Sequence, residues 1–148
     1  MYKHILIATD GSELAQKAVA QGLELAKRLG AKATAVVVTE PWDALSMAAM
    51  AEQRIPNPVA DYEERMAAYA NRVLWSVSEA AKKQDQPCLT LYVKDRYPAE
   101  GILEAAKSQG CDLIVMASHG RRGLSKLFLG SQAAKVVTLS PVPVLVCR

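Results

Sequence analysis

The sequence predicts an α/β fold, a three-layer sandwich with a parallel sheet covered by helices on both faces. Short apolar runs alternate with segments of helical period in the order βαβαβαβαβ. Hydrophobic residues make up 51% of the 148 residues and aromatic residues only 5%, which indicates an aliphatic core of single-domain size. Residues 1–148 are therefore expected to form one domain.

The first half of the sheet is predicted from two apolar runs. His4–Ala8 is the first strand, and Thr9–Ser12 ends it with a polar turn. Ser12 is suited to cap a helix whose apolar residues recur at steps of three and four until Gly30. Ala33–Thr39 is the second buried strand.

The middle of the chain contains its least regular segment, Glu40–Asp61. Three prolines surround a possible short helix there, Leu45–Met50, and the segment is expected to pass over one end of the sheet. Its methionines are read as helix packing, with a lid over a ligand as the alternative. Asp61–Lys83 then has a clear helical period, and Leu89–Val93 alternates as a strand.

The second half repeats the strand and helix pattern. Pro98 fits the first turn of a helix that ends at Gly110, and Asp112–Met116 is the fourth strand. Gly130–Ser131 opens the last helix, and Val142–Cys147 is the fifth strand. In such sheets ligands bind beyond the carboxyl ends of the strands where the strand order reverses, so the loops after strands one and four are expected to share one crevice.

Charge and cysteine content exclude several classes of protein. The formal charge is only +3, and 18 basic residues are interleaved with 15 acidic ones, so no nucleic-acid partner is expected. No apolar run approaches the ~20 residues of a membrane span, and the N-terminus lacks signal-peptide form, which predicts a cytoplasmic protein without a membrane partner. The three cysteines have no Cys-x-x-Cys spacing and are expected to be reduced and buried: Cys88, Cys111 and Cys147.

The loop after the fourth strand has the residues of a phosphate site. Gly120 and Gly130 allow backbone amides to approach an anion, and the helix after Gly130 presents unpaired N–H groups. Neither Gly-x-x-x-x-Gly-Lys-Ser/Thr nor Gly-x-Gly-x-x-Gly occurs. Hydroxyl donors and positive charge are supplied by Ser118, Ser131, Arg121, Arg122 and Lys126.

These segments resemble the universal stress protein family. The resemblance covers almost the whole chain except Glu40–Asp61, and it implies a Rossmann-like, adenine nucleotide alpha hydrolase-like fold with strand order 3-2-1-4-5. The matching segments are Ile5–Ser12, Asp112–Arg121, Leu129–Ser131 and Pro141–Val146.

The ATP-binding members of that family share a Gly-x2-Gly-x9-Gly-Ser/Thr signature. This sequence keeps the spacing through Gly120 and Gly130–Ser131, but Ala117 replaces the first glycine. The extra methyl group either crowds the phosphates or is harmless where the backbone is not left-handed. The resemblance therefore implies ATP as the ligand, with the effect of Ala117 open.

The resemblance also implies roles for individual residues. Asp10, beside Ala8 and Thr9, would contact the nucleoside, while Val38 and Met116 would enclose adenine. Phosphates, bridged by Mg²⁺ or Mn²⁺, would be held by Ala117, Gly120, Gly130 and Ser131, and the loop would be lined by Ser118, His119 and Arg121. No catalytic residue is assigned, because His119 has no nucleophile and orienting carboxylate that can be recognised beside it in the sequence. Asp10–Ser12 has the alternative reading of a turn and helix cap.

The function expected from these observations is that of a cytosolic stress-response regulator or sensor that binds ATP and acts through protein partners. Two alternatives stay open: a dimeric adaptor that binds no nucleotide, and a slow ATP hydrolase. Pro143 favours an edge position for the terminal strand, because it cannot donate a ladder hydrogen bond. Since bare apolar edges aggregate, a homodimer through Val142–Cys147 is predicted.

Overall fold

The structure of the chain, a computed structural model, describes residues 1–120 and 128–148. Strands and helices alternate along most of it, with two successive helices between the second and third strands. The elements are β1 (His4–Ala8), α1 (Glu13–Leu29), β2 (Lys32–Val38), α2 (Ala44–Glu52), α3 (Pro58–Gln84), β3 (Cys88–Val93), α4 (Pro98–Ser108), β4 (Leu113–Ala117), α5 (Ser131–Leu139) and β5 (Val144–Cys147).

The five described strands form one parallel sheet in the order β3-β2-β1-β4-β5, which confirms the predicted topology. β1 is the central strand, and it pairs with β2 through Ile5 and Ala33 and with β4 through Ile5 and Leu113. The chain winds outward to β3 on one side of β1 and to β5 on the other. The strand order therefore reverses between β1 and β4.

Helices cover both faces of this sheet. Ile5 and Ile7 of β1 pack in the core beneath α1 and α3, whereas Leu6 and Ala8 pack beneath α4 and α5. All four side chains are buried, as expected for a parallel strand between two helical layers. After His4 at its start, β1 has no polar side chain, and the next polar side chains, Thr9 and Asp10, lie just beyond its carboxyl end.

The ends of α1 are where the sequence places them. The Ser12 hydroxyl accepts a hydrogen bond from the Ala15 N–H at 3.2 Å, which caps the first turn. Gly30 ends the helix with a φ of 64°, a left-handed conformation that glycine adopts without steric cost. Ser12 and Gly30 therefore occupy the helix-end positions that serine and glycine favour.

The segment from Glu40 to Asp61 is more regular than predicted. The possible short helix is real and begins after Asp43, whose carboxylate accepts the Ser46 N–H at 2.8 Å. The following helix begins at Pro58, because proline is well suited to the first helical position. Although α3 has 27 residues, none of the helices among the described residues is long and apolar enough to cross a membrane.

The cysteine prediction needs one correction. Cys111 and Cys147 are buried, but Cys88 is only half-buried, because it begins β3 at an edge of the sheet. Burial raises the pKa of the Cys88 and Cys111 thiols to about 11 and also raises the pKa of Cys147. All three side chains are therefore protonated thiols near neutral pH and weak nucleophiles.

Candidate functional site

A cleft of about 500 Å³ opens at the carboxyl ends of β1, β2 and β4, where the strand order reverses. Apolar side chains form its floor, and polar groups from the loops and helix starts form its rim. This is the place predicted from the strand order alone. It brings together most of the residues singled out in the sequence: Ala8, Thr9, Asp10, Val38, Met116, Ala117, His119, Gly120, Gly130 and Ser131.

Of the predicted site residues that the structure describes, Ser118 is the one that does not line the cleft. Ser118 is 5% exposed and is buried behind the wall, where its side chain is 3.2 Å from Nδ1 of His119. Arg121 lies outside the described residues, as do Arg122 and Lys126. Ser118 consequently shapes the loop through its backbone instead of presenting a hydroxyl to the cleft.

The two ends of the loop after β4 are fastened to each other. The Gly130 N–H donates to the Ser118 carbonyl at 2.7 Å, and the Ser118 N–H donates to the Cys147 carbonyl at 2.8 Å. A Cβ at Gly130 would lie only 3.0 Å from the Ser118 carbonyl oxygen. Gly130 is therefore required by the close approach of two backbone segments at the cleft.

The start of α5 faces the cleft without a side-chain cap. Gly130 is its N-cap residue and has no side chain to accept a hydrogen bond, while Ser131, Gln132 and Ala133 of the first turn line the cleft. The first N–H groups of a helix have no intrahelical partner and carry a partial positive charge. Such a helix start is suited to bind an anion.

The turn after β1 forms the opposite rim of the cleft. The Asp10 carboxylate accepts the Ser12 N–H at 3.0 Å, and the Thr9 hydroxyl accepts the Gly11 N–H at 3.2 Å. A Cβ at Gly120 would fall on the second carboxylate oxygen of Asp10, so Gly120 lies directly against this turn. In this turn Ser12 therefore caps α1, and Asp10 is part of the cleft wall.

Helix α3 supplies a wall that the sequence pattern did not predict. Tyr62, Met66 and Tyr69 line the cleft from one face of the helix. The Tyr62 hydroxyl donates to the Glu40 carbonyl at 2.8 Å, and the Tyr69 hydroxyl donates to the Asp10 carbonyl. Burial, followed by the nearby charge of Glu40, raises the pKa of Tyr62, so its hydroxyl keeps its proton near neutral pH. These hydrogen bonds hold α3 against the strand ends, and both tyrosines form part of the cleft wall.

The methionines of α2 do not form this wall. Met47 is buried, and neither Met47 nor Met50 lines the cleft. The sequence had suggested the methionines of α2 as a lid, whereas the methionine that lines the cleft is Met66 of α3. Its spacing from Tyr69 equals that of core residues in the same helix, so the sequence pattern alone could not separate the two roles.

Gln132 is a further cleft residue that the sequence did not reveal. Its side-chain oxygen accepts the Ala99 N–H at 3.1 Å, which caps α4 from the neighbouring helix. The two residues are 33 positions apart, so only the packing of α4 beside α5 brings them together. No local sequence pattern predicts such a contact.

Ala117 occupies an unstrained backbone position. It is the last residue of β4, pairs with Cys147 of β5, and has no positive φ. Its side chain is 7% exposed and belongs to the core beneath α1 and α3. The sequence left open whether the Ala117 methyl group crowds the phosphates. The geometry favours the alternative, in which it does not.

The polar groups of the cleft limit the chemistry it can perform. In the described part of the chain the His119 ring is hydrogen-bonded to Ser118 and not to a carboxylate. Within residues 1–120 and 128–148, no three His, Cys, Asp or Glu side chains are grouped as metal ligands. The described polar side chains of the cleft are thus hydroxyls, the carboxylates of Asp10 and Glu40, the His119 ring and the Gln132 carboxamide.

The family model described as the universal stress protein family matches residues 1–148. The chain belongs to this family. A universal stress protein of Thermus aquaticus is 34% identical over 150 residues, with all of both chains covered. Universal stress protein YxiE of Bacillus subtilis is 30% identical over 149 residues, again with all of both chains covered.

Solved structures share the fold of this universal stress protein. The structure of MJ0577, a universal stress protein of Methanocaldococcus jannaschii, has a TM-score of 0.80 at 24% identity and covers 99% of this chain and 96% of its own. A universal stress protein in complex with cAMP has a TM-score of 0.74 at 22% identity, with 99% and 97% covered. One from Archaeoglobus fulgidus in complex with dAMP has a TM-score of 0.72 at 17% identity, with 99% and 98% covered.

Proposed function

We propose that this universal stress protein binds ATP in the cleft and acts as a nucleotide-dependent regulator or sensor of the stress response. The observation that carries this proposal is the uncapped start of α5, which offers backbone N–H groups to an anion beside an apolar cavity. The family members solved with cAMP and dAMP support an adenine nucleotide as the ligand class. We place the protein in the cytoplasm, where it acts through partner proteins.

The polarity of the cleft suggests how the nucleotide lies. Val38 and Met116 belong to the apolar face beneath α4 and α5, so they are suited to enclose the base. Ser131 and the N–H groups of α5 are suited to the phosphates, and Asp10 to the ribose hydroxyls. A Mg²⁺ or Mn²⁺ ion would be held through the phosphates, because the described residues provide no metal-ligand cluster of their own.

The phosphate position can be tested at Ser131, which is exposed and begins α5. Ser131→Glu adds a negative charge where the helix dipole tolerates it, so the fold is retained. The carboxylate repels phosphate, and the affinity for ATP measured by calorimetric titration with Mg²⁺ should fall by at least about tenfold. Adenosine binding should not change.

Ser131→Gln is the matched control, since it adds the same bulk without the charge. It also lacks the Ser131 hydroxyl, so its affinity for ATP should fall, but by at least about threefold less than that of the Glu variant. Equal ATP binding by the Glu and Gln variants would contradict the phosphate assignment. Nucleotide-stripped parent protein that shows no heat with ATP would favour the dimeric adaptor instead.

We also propose a homodimer through the terminal strand. β5 is an edge strand, Leu145 within it is 42% exposed, and Val137 and Leu139 of α5 are exposed as well. An apolar sheet edge is a surface that proteins usually cover. Pairing with the same edge of a second copy would cover these side chains.

Light scattering should give a dimer mass in the micromolar range, and a monomer mass throughout that range would contradict the proposal. Leu145→Glu should weaken association by at least about tenfold, since it places charges opposite each other in the interface. Leu89→Glu is the matched control, because Leu89 is 64% exposed on β3 at the other edge of the sheet. This second variant should remain a dimer.

A further inference from the structure

Gln132 connects the starts of two helices at the cleft. It is the second residue of α5, is half-buried, and lines the cleft beside Ser131 and Pro98. Its side-chain oxygen accepts the Ala99 N–H at 3.1 Å in the first turn of α4. One side chain therefore caps α4 while it belongs to the helix that faces the proposed phosphate site.

The orientation of the Gln132 carboxamide is fixed by this contact. The Ala99 backbone N–H can only donate a hydrogen bond, so the atom turned toward it must be the carbonyl oxygen. The NH₂ group is then turned away from α4, and it makes no hydrogen bond to any residue in the described part of the chain. Two N–H donors are consequently held at the cleft wall next to the backbone N–H groups of α5.

We propose that Gln132 is a phosphate-contacting residue that sets the preference of the cleft for phosphorylated ligands. The proposal rests on the function proposed above and adds a side-chain donor to the backbone donors of α5. The Ala99 contact holds the carboxamide in one orientation, so little side-chain entropy is lost when the NH₂ group donates to a phosphate oxygen. The affinity for ATP relative to adenosine thus depends on Gln132.

The first test is Gln132→Met, which keeps the length of the side chain and removes both donors without adding charge. A hydrogen bond to a charged group is worth enough that the ATP affinity should fall by about 10- to 100-fold in calorimetric titration. Adenosine affinity should stay within about twofold, since adenosine has no phosphate with which Gln132 could form a hydrogen bond. Equal losses for ATP and adenosine, or no loss for either, would overturn the proposal.

The second test separates phosphate contact from helix capping. Gln132→Glu restores an acceptor for the Ala99 N–H and places negative charge at two helix starts, so its melting temperature should recover from the lowered value of the Met variant. ATP affinity should not recover, because the carboxylate cannot donate a hydrogen bond and also repels phosphate. Recovery of ATP affinity together with stability would show a capping role alone and overturn the proposal.

The parent protein distinguishes failure of this inference from failure of the proposed function. Parent protein that binds neither ATP nor adenosine overturns both. Parent protein that binds ATP while the Gln132→Met variant binds it equally well overturns only the role of Gln132. A fall in ATP affinity confined to the Met and Glu variants, with unchanged adenosine affinity, supports both.

Discussion

The two ends of the β1–β4 strand pair satisfy their backbone groups in opposite ways. At the amino end, the Asp112 carboxylate accepts the Lys3 N–H at 2.8 Å and the His4 N–H at 3.0 Å. At the carboxyl end, the chain leaves both strands through polar loops, and the start of α5 at Gly130 has no side-chain cap. The backbone N–H groups at the amino end have a side-chain partner, whereas the start of α5 leaves backbone N–H donors that a ligand can use.

The three helices that begin at the cleft sharpen this contrast. α1 is capped by the Ser12 hydroxyl, and α4 receives the Gln132 side-chain oxygen from a neighbouring helix. α5 begins at Gly130, which has no side chain to offer. The close approach of the Ser118 carbonyl favours glycine at this position, and the first N–H groups of α5 are thereby left without a side-chain cap.

The largest expected effect comes from filling the space between the two rims of the cleft. Gly120→Val would push a side chain into the Asp10 carboxylate, which also holds the Ser12 N–H. The loop after β4 would have to move away from the turn after β1. We expect the ATP affinity to fall by about 100-fold, or about 2.8 kcal/mol, in calorimetric titration.

Gly30→Ala is the control for a general loss of stability. Gly30 has a φ of 64°, and no atom lies within 4 Å of the position that a Cβ would take, so alanine strains the backbone there without touching the cleft. This variant should melt at a lower temperature and bind ATP with the parent affinity. A similar loss of affinity in both variants would contradict a specific role for the approach of Gly120 to Asp10.

An intermediate effect, on stability alone, is expected for Asp112 at the amino end of the β1–β4 strand pair. Burial alone would raise the pKa of Asp112, but the hydrogen bonds from the His4 and Lys3 N–H groups outweigh it and hold the pKa below its ordinary value of 3.8. The contribution of this carboxylate to stability is therefore fully present above about pH 4 and is lost as the pH falls through the lowered pKa. Asp112→Ala should cost between about 1 and 2 kcal/mol of unfolding free energy at neutral pH, because solvent screens this carboxylate, as measured by urea denaturation.

The pH dependence gives this prediction its control. Below about pH 3 the parent protein and the Asp112→Ala variant should converge in stability, because the parent carboxylate is then becoming protonated. ATP affinity at neutral pH should be equal in both proteins, since Asp112 lies at the far end of the strands from the cleft. A constant difference in stability across the acid range would show that the carboxylate charge is not the source of the effect.

The sheet could be predicted from the sequence because its signals are local. Apolar runs such as His4–Ala8 and caps such as Ser12 determine the elements within a few residues. The carboxyl ends of parallel strands then lie at the same edge of the sheet. The wall formed by α3 could not be predicted, because Tyr62 and Met66 follow the same period as residues that face the core. Gln132 was missed for another reason, since its partner Ala99 is adjacent only after α4 and α5 pack.

The smallest expected effect concerns Ala117, where the sequence departs from the family signature. Ala117→Gly restores the glycine but removes a buried methyl group from an extended strand position. Glycine is less favourable than alanine within a strand, so the unfolding free energy in urea should fall by about 1 kcal/mol. ATP affinity should change by less than about twofold, because the methyl group packs in the core beneath α1 and α3.

A gain in ATP affinity of about tenfold or more on Ala117→Gly would contradict this view, since it would mean that the methyl group crowds the phosphates. Unchanged affinity with lowered stability would show that the first glycine of the signature is dispensable where the backbone is extended. The binding contribution of the signature would then come from the two glycines at which a Cβ meets other atoms closely. Those are Gly120, where a Cβ would meet the Asp10 carboxylate, and Gly130, where a Cβ would lie 3.0 Å from the Ser118 carbonyl oxygen at the uncapped start of α5.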